Sequence, residues 1–369
     1  MTCIDVGTTL RQEPERFRTM RRLPIYFLID VSESMVGTPI KKVEEGIATI
    51  IQQLKTDAIA IETVWVSIVI FAGQAKTLTP LQDLVSFYPP KFPIGGGTSL
   101  SKGLGHLMYE LRSNIKKTTS ESKGDWKPIV YLFTDGSPTD DTAIAIQEWK
   151  SNWARTANLV AVSMGGTADL SILRQLTGDV LEFDNTDSAA YAEFFKWVTD
   201  SIKTNSESVD AGSDIFDVGR FDGDKVTKAN FEKALPIGEM IDDNFVVLTC
   251  KCSNTKRPYL IKYQQQVTEQ NLGGLAFATK GFRLVGAFEV DDSYFSLSDE
   301  TGANNKVNTQ ELMGAPTCPS CGNQFAFAVC QCGKVHCIGH EADSTCPWCG
   351  NIGSYGSGTG GFDVNRAQG

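Results

Sequence analysis

The sequence is short of the side chain that most often moves protons in enzymes. Its 369 residues hold three histidines, His106, His336 and His340, a poor supply for general acid–base catalysis. It also lacks the usual phosphate and nucleophile signatures. There is no Gly-x4-Gly-Lys-Ser/Thr loop, no Gly-x-Gly-x2-Gly turn between an expected strand and an expected helix, no Gly-x-Ser-x-Gly elbow and no His-Glu-x2-His pair. No apolar run approaches the roughly 18–20 residues of a membrane span. The stretch Met1–Met20 is polar and arginine-bearing, unlike a secretion signal. Positive charge is in deficit as well: 34 Lys and Arg stand against 44 Asp and Glu, a formal net charge of −10. That balance argues against nonspecific nucleic-acid binding, which depends on cations displacing phosphate counterions.

Cysteine is absent between residues 4 and 249 and then concentrated, with seven of the ten cysteines lying in Cys318–Cys349. A disulfide scaffold spreads its cysteines through a short secreted domain. A cluster late in a long chain without an export signal points to a metal site in a cytoplasmic protein.

Residues 23–205 alternate short β-branched runs with amphipathic segments. Ile25–Ile29, Val64–Phe71, Ile129–Phe133, Leu159–Val162 and Val180–Phe183 read as buried strands. Ile40–Leu54, Leu100–Ile115, Ala143–Trp153, Leu170–Leu176 and Ala189–Ile202 carry a helical period. The alternation predicts a doubly wound, mostly parallel α/β sheet covered on both faces. An arm at 1–22 precedes it. A linker at 206–240, with one modest helix near Lys228–Leu235, follows it. Beyond 241 the pattern turns to strands. Phe245–Thr249 and Pro258–Tyr263 flank a polar stretch as in a hairpin, and Leu284–Val290 is a further strand. We expect a small β-rich zinc-binding domain over 241–350 and, from its Gly/Ser content, a disordered tail at 351–369.

Two constellations carry chemistry. The first begins where the strand Ile25–Ile29 runs into Asp30-Val31-Ser32-Glu33-Ser34. Gly95-Gly96-Gly97 then brings Thr98 to a helix start, and Phe133-Thr134-Asp135 ends another strand. Open α/β sheets bind ligands at the carboxyl ends of their strands. Carboxylates and hydroxyls are hard oxygen ligands suited to Mg²⁺, Mn²⁺ or Ca²⁺. The three glycines let backbone approach closely or take positive φ. Asp30, Ser32, Ser34, Thr98 and Asp135, in this order and each after a strand, resemble the metal-ion-dependent adhesion site (MIDAS) of von Willebrand factor A (VWA) domains, over roughly residues 23–205. The resemblance implies that Ser32, Ser34 and Thr98 give hydroxyl oxygens to the ion and that Asp30 and Asp135 hold it directly or through water. One position is then left for a partner's carboxylate.

The second constellation is Cys318-x2-Cys321-x8-Cys330-x-Cys332-x4-Cys337-x2-His340-x5-Cys346-x2-Cys349, four pairs and enough for two tetrahedral Zn²⁺ ions. The layout is similar to RING-like cross-braced domains, which implies Cys318, Cys321, Cys337 and His340 on one ion and Cys330, Cys332, Cys346 and Cys349 on the other. A zinc ribbon with Cys318, Cys321, Cys346 and Cys349 together remains open at this level. So do the roles of Cys250, Cys252 and His336. No position is left vacant, so a structural role is expected.

A VWA domain, a β-rich segment and a terminal Cys/His cluster together resemble the TerY-like tellurite-resistance family, over residues 23–350. That resemblance implies a non-catalytic scaffold in a bacterial stress response, acting with a protein kinase and a PP2C-type phosphatase. Two other classes stay in view: an accessory subunit of an AAA+ ATPase, and a RING-like ubiquitin-type ligase.

Overall fold

The computed structural model describes residues 21–120, 122–164, 170–183, 188–210, 227–228, 244–272, 275–299, 305–341, 343–356 and 360–367. Strands β1 (Leu23–Asp30), β2 (Val64–Phe71), β3 (Ala75–Asp83), β4 (Ile129–Thr134), β5 (Asn158–Met164), β6 (Asp179–Phe183) and β7 (Thr227–Lys228) form one sheet in the order β3-β2-β1-β4-β5-β6-β7. The pairs β2–β1, β1–β4, β4–β5 and β5–β6 are parallel, while β3 and β7 close the edges antiparallel. Helices α1 (Thr38–Leu54), α2 (Ala58–Thr63), α3 (Leu100–Asn114), α4 (Ala143–Asn152), α5 (Leu170–Leu176) and α6 (Ser188–Asp210) belong to this unit.

Every residue of β1 is buried, because both faces of the sheet are covered. Ile25, Phe27 and Ile29 point to one core with Val43, Ile47 and Ile50 of α1 and Phe194 and Val198 of α6. Tyr26 and Leu28 point to the other, with Leu104 and Leu107 of α3 and Trp149 of α4. The strands and helices expected over 23–205 are all present, most with ends that move by a few residues. β3, α2 and β7 escape the sequence pattern in this unit. β3 holds Pro80 and has no buried residue; an edge strand tolerates both features. α2 is one and a half turns long and is capped by Asp57, which accepts from Ala60 N at 2.9 Å.

Several boundaries differ from expectation. Arg21 and Arg22 belong to the domain and not to an arm: Arg22 pairs with Asp125 at 2.5 Å and Arg21 lies 3.7 Å over the Trp126 ring. Residues 1–20 lie outside the described residues. α6 continues to Asp210, so the first residues assigned to the linker are helical. Lys228 pairs with Leu181 as an edge strand instead of starting a helix. The rest of the linker, 211–226 and 229–243, lies outside the described residues.

The second unit is a sheet built from β8 (Phe245–Lys251), β9 (Pro258–Leu272), β10 (Leu275–Glu289), β12 (Leu312–Met313), β13 (Phe325–Val329) and β14 (Val335–Ile338), in the order β12-β10-β9-β8-β14-β13. The hairpin read in the sequence is the antiparallel pair β8–β9. β11 (Lys306–Asn308) pairs with β17 (Asp363–Asn365), and β15 (Asp343–Thr345) with β16 (Ile352–Ser354). The tail is therefore not simply disordered. Val364 is buried, and Ala367 N donates to Val247 O at 2.8 Å.

The units share a core. Val247, Leu260 and Val290, with Tyr294 and Leu297 of the short helix α7 (Ser293–Leu297), are buried in the same cluster as the α1 face of the first sheet.

Candidate metal centres

The first centre forms at the carboxyl edge of the parallel sheet. β1 and β4 are neighbours, so Asp30 and Asp135 leave the sheet side by side. Asp30 Oδ1 accepts from Ser32 N at 2.9 Å and its Oδ2 from Thr134 Oγ1 at 2.6 Å. Ser32 Oγ and Ser34 Oγ are 3.0 Å apart, and Ser34 Oγ donates to Asp135 Oδ1 at 2.6 Å. A Cβ on Gly136 would sit 3.4 Å from Ser34 Oγ and 3.9 Å from Thr98 Oγ1, so both hydroxyls converge on that backbone. The five residues picked out in the sequence thus come together, and all are buried. Clustered hard oxygens of this kind fit a divalent cation.

Burial pushes the Asp30 carboxyl up to about 6, against the lowering effect of its hydrogen bonds from Ser32 and Thr134. A carboxylate taken out of water in this way gains from a cation.

The sequence reading missed the residues that hold the ligands. Thr134 orients Asp30. Thr139 and Thr98 exchange two bonds: Thr98 N donates to Thr139 Oγ1 at 3.0 Å, and Thr139 N to Thr98 O at 2.8 Å. Asp140 accepts from Ser99 Oγ at 2.6 Å and Ser101 N at 3.0 Å, fixing the first turn of α3. Single Thr and Asp residues in loops carry no spacing signal, so only proximity reveals them.

The second and third centres are thiol cages. Cys330, Cys332, Cys346 and Cys349 place their sulfurs within 4.8 Å of one another, the set expected from a cross-brace. Cys252, Cys318, Cys321 and Cys337 form the other cage. Here the structure corrects the sequence. The fourth member is Cys252, just past β8, and not His340. Cys252 Sγ lies 3.9 Å from Cys337 Sγ, whereas His340 is exposed and meets the Phe325 ring edge-on at 6.5 Å. The cause is the parallel pairing of β14 with β8, which sets Val335 opposite Cys250 and His336 opposite Lys251. Cys252 and Cys337, each one position on, then face each other. The ribbon grouping of Cys318 and Cys321 with Cys346 and Cys349 is not formed.

Gly322, Gly333 and Gly350 have positive φ. Each follows a cysteine and lets the chain turn back: Gly322 N donates to Cys318 O and Gly350 N to Cys346 O, both at 2.9 Å. The thiols are unevenly poised. Burial raises Cys252, but hydrogen bonds from Thr255 outweigh it and bring the thiol down to about 7. The Cys332 N–H lowers Cys330 to about 7, while burial raises Cys332 to about 12. Four packed thiols cannot all ionise unless a cation joins them. Sets of four cysteine sulfurs suit zinc.

The remaining candidates do not reach a centre. Cys250 is buried, its thiol raised by burial, with Sγ 3.4 Å from Leu248 O. His336 is buried between Cys337 O at 3.0 Å and Tyr355 Oη at 2.8 Å. His106 contacts Thr77 Oγ1 at 2.8 Å on a helix surface.

Comparison with known proteins agrees with both halves. The model of the von Willebrand factor type A domain matches residues 25–197, and that of the TerY-C metal binding domain matches residues 242–369. Inter-alpha-trypsin inhibitor heavy chain H2 of Mus musculus is 26% identical over 266 residues, 59% of this chain and 27% of that protein. The chain therefore spans about a quarter of that relative's length. Among solved structures, proximal thread matrix protein 1 from the mussel byssus, described with a zinc-occupied MIDAS motif, is 17% identical with a TM-score of 0.37. It covers 51% of this chain and 46% of its own. An ArnB paralog, VWA2, from Sulfolobus acidocaldarius is 11% identical with a TM-score of 0.38, covering 74% of this chain and 67% of its own. Similarities at these scores carry no weight for function. The chain joins a von Willebrand factor type A domain to a TerY-C metal binding domain, which is the TerY-like architecture.

Proposed function

We propose that this protein is a non-catalytic, metal-dependent interaction scaffold of a bacterial stress and tellurite-resistance system, working in the cytoplasm. Its partners in this reading are a protein kinase and a PP2C-type phosphatase. The observation that carries it is the convergence of Asp30, Ser32, Ser34, Thr98 and Asp135 at one sheet edge. These residues would hold Mg²⁺, or Mn²⁺ or Ca²⁺, with Ser32, Ser34 and Thr98 giving neutral hydroxyl oxygens and Asp30 and Asp135 holding it directly or through water. A divalent ion so held supplies an electrophilic point for an anionic oxygen. The rest of the work belongs to the chain: Thr134 and Ser32 N aim Asp30, and Ser34 ties Asp135 to the loop. An acidic side chain of a partner completes the arrangement. The chain's net charge of −10 opposes such a partner at long range, so recognition rests on short contacts. The thiol cages, each holding Zn²⁺, keep the second domain folded and present it to a second partner.

The test is capture of the kinase and phosphatase by the full chain in Mg²⁺. Asp30→Ala, or EDTA followed by zinc readdition alone, is expected to abolish capture while circular dichroism of the sheet is retained. Capture unchanged in both would sink the reading. Recovery of an AAA+ ATPase instead would favour an accessory-subunit role, and ubiquitin transfer would favour a ligase. The cage that recruits Cys252 from 66 residues before Cys318 departs from a self-contained RING, which weighs against the ligase.

A further inference from the structure

Two of the loops that carry the oxygen site, Ser32–Ser34 and Gly95–Gly97, are in contact with the second domain. Tyr294 Oη donates to the Glu33 carboxylate and contacts Thr249 Oγ1 at 2.9 Å. Glu33 in turn accepts from Gly97 N at 3.5 Å, the residue before Thr98. It therefore ties the Ser32–Ser34 loop to the Thr98 loop, with a hydroxyl from the other domain holding it. Lys262, buried on β9 with its ammonium 4.2 Å from the Phe245 ring centre, donates to Ser34 O. Gly96 N donates to Ser298 Oγ at 2.8 Å, Asp299 N to Gly96 O at 3.2 Å, and Gln74 N to Leu297 O at 2.8 Å. The contacts thus fall on Glu33 and Ser34 of the first ligand loop and on Gly96 of the second.

The glycines confirm that this approach is built in. A Cβ on Gly73 would lie 2.2 Å from Asp299 N, on Gly95 2.6 Å from Leu297 Cβ, and on Gly96 2.8 Å from Ser298 Oγ. Side chains there would force the domains apart. Of the Gly95-Gly96-Gly97 run, only Gly97 has positive φ, at 85°. Its two neighbours are bare because Leu297 and Ser298 sit on them. The contact is also dry, since Tyr294, Leu297 and Val290 lie in the first domain's core cluster. The mix of apolar packing and hydrogen bonds ties the two domains together at this edge.

We propose that the oxygen site is a two-domain site: Tyr294 and the Ser298–Asp299 segment are positioning residues for its ligand loops, and divalent-ion affinity depends on their docking. The physical reason is preorganisation. Ligands on two loops bind an ion well only if both loops are already held. Glu33 and Gly96 are the points at which the second domain holds them. Coupling of this sort is reciprocal, so the ion strengthens docking as docking strengthens ion binding. The inference rests on the site holding a divalent ion and not on what that ion captures.

The test is titration of Mn²⁺ into the full, zinc-loaded chain by calorimetry, for the wild type, Tyr294→Phe and Gly73→Ala. Neither substitution touches a proposed ligand. Tyr294→Phe is expected to weaken Mn²⁺ about tenfold, the scale of one hydrogen bond to a charged group. Gly73→Ala, which displaces the Asp299 backbone, is expected to weaken it further. Zinc content and the far-ultraviolet spectrum serve as controls for folding. Should Gly73→Ala fail them, Tyr294→Phe alone decides. Mn²⁺ affinity in Tyr294→Phe equal to or tighter than wild type overturns the proposal. A wild type that binds no Mn²⁺ instead overturns the oxygen-site reading itself.

Discussion

The oxygen site and the thiol cages solve the same problem in opposite ways. The oxygen site gathers ligands from loops up to 105 residues apart, Asp30 to Asp135, and relies on a hydrophobic sheet to hold them. The cages take most of their ligands from one stretch, Cys318–Cys349, supported by short strands of two to five residues. In the first case the fold makes the site. In the second, one cage is set into the core of the second sheet and the other lies among short strands, where a bound metal would supply the missing folding energy. Burial raises the Asp30 carboxyl to about 6, so the ionised oxygen site works against its own desolvation in the absence of a cation. The lesson is that removing a ligand should have opposite effects in the two places.

The largest expected effect follows directly. Cys337→Ser should cost several kcal/mol of stability, since structural zinc contributes on the order of 10 kcal/mol in small metal-folded domains. A lowered unfolding temperature in calorimetry is the readout. Asp30→Asn, by contrast, should be no less stable than wild type in metal-free buffer above pH 6, because it removes a buried charge and keeps the Ser32 N–H acceptor. Equal destabilisation by both would erase the contrast.

A sharper comparison lies within the cages. Cys252→Ser should lower bound zinc from two ions per chain to about one, and His340→Ala should leave two. Elemental analysis of purified protein decides between them. The reverse pattern would restore the assignment the sequence alone favours.

The smallest effect is one of pH. The Asp30 pKa is raised in the fold, from 3.8 to about 6. Its contribution to stability without metal is therefore fully present below 3.8 and fades as pH rises through about 6. A cation needs the ionised form. Mn²⁺ affinity at the oxygen site should rise about tenfold per pH unit up to roughly pH 6 and level off above it. Calorimetric titrations at pH 5, 6 and 7.5 would expose a flat profile, which would remove Asp30 from the ligand set.

Much of this was legible in the sequence. The alternation of apolar runs gave the parallel sheet because strands covered on both faces show continuous Val and Ile stretches, as in Val64–Phe71. The five candidate oxygen ligands stood out because Asp30 and Asp135 end neighbouring buried strands and the whole set resembles the VWA metal site. The cage Cys330, Cys332, Cys346 and Cys349 was legible because its members are near in the chain. Cys252 was not. A Cys-x-Cys ending a strand reads equally well as core, and the two-residue gap from Cys337 to His340 imitates a zinc knuckle. β3 was hidden by Pro80 and its half-exposed residues.

What the sequence determined alone is therefore local or periodic: which segments become strands and helices, which strand ends carry oxygen ligands, and which cysteines pair at short range. Hydrophobic period and ligand spacing act within a few residues, so they survive in one dimension. The tertiary structure decided the rest. It chose Cys252 over His340 through the parallel register of β14 on β8. It also gave Gly95 and Gly96 a purpose that spacing could not show, as seats for Leu297 and Ser298 about 200 residues away. The first outcome depends on a strand pairing inside one sheet and the second on where the two domains meet, and contacts between distant segments leave no period in the chain that makes them.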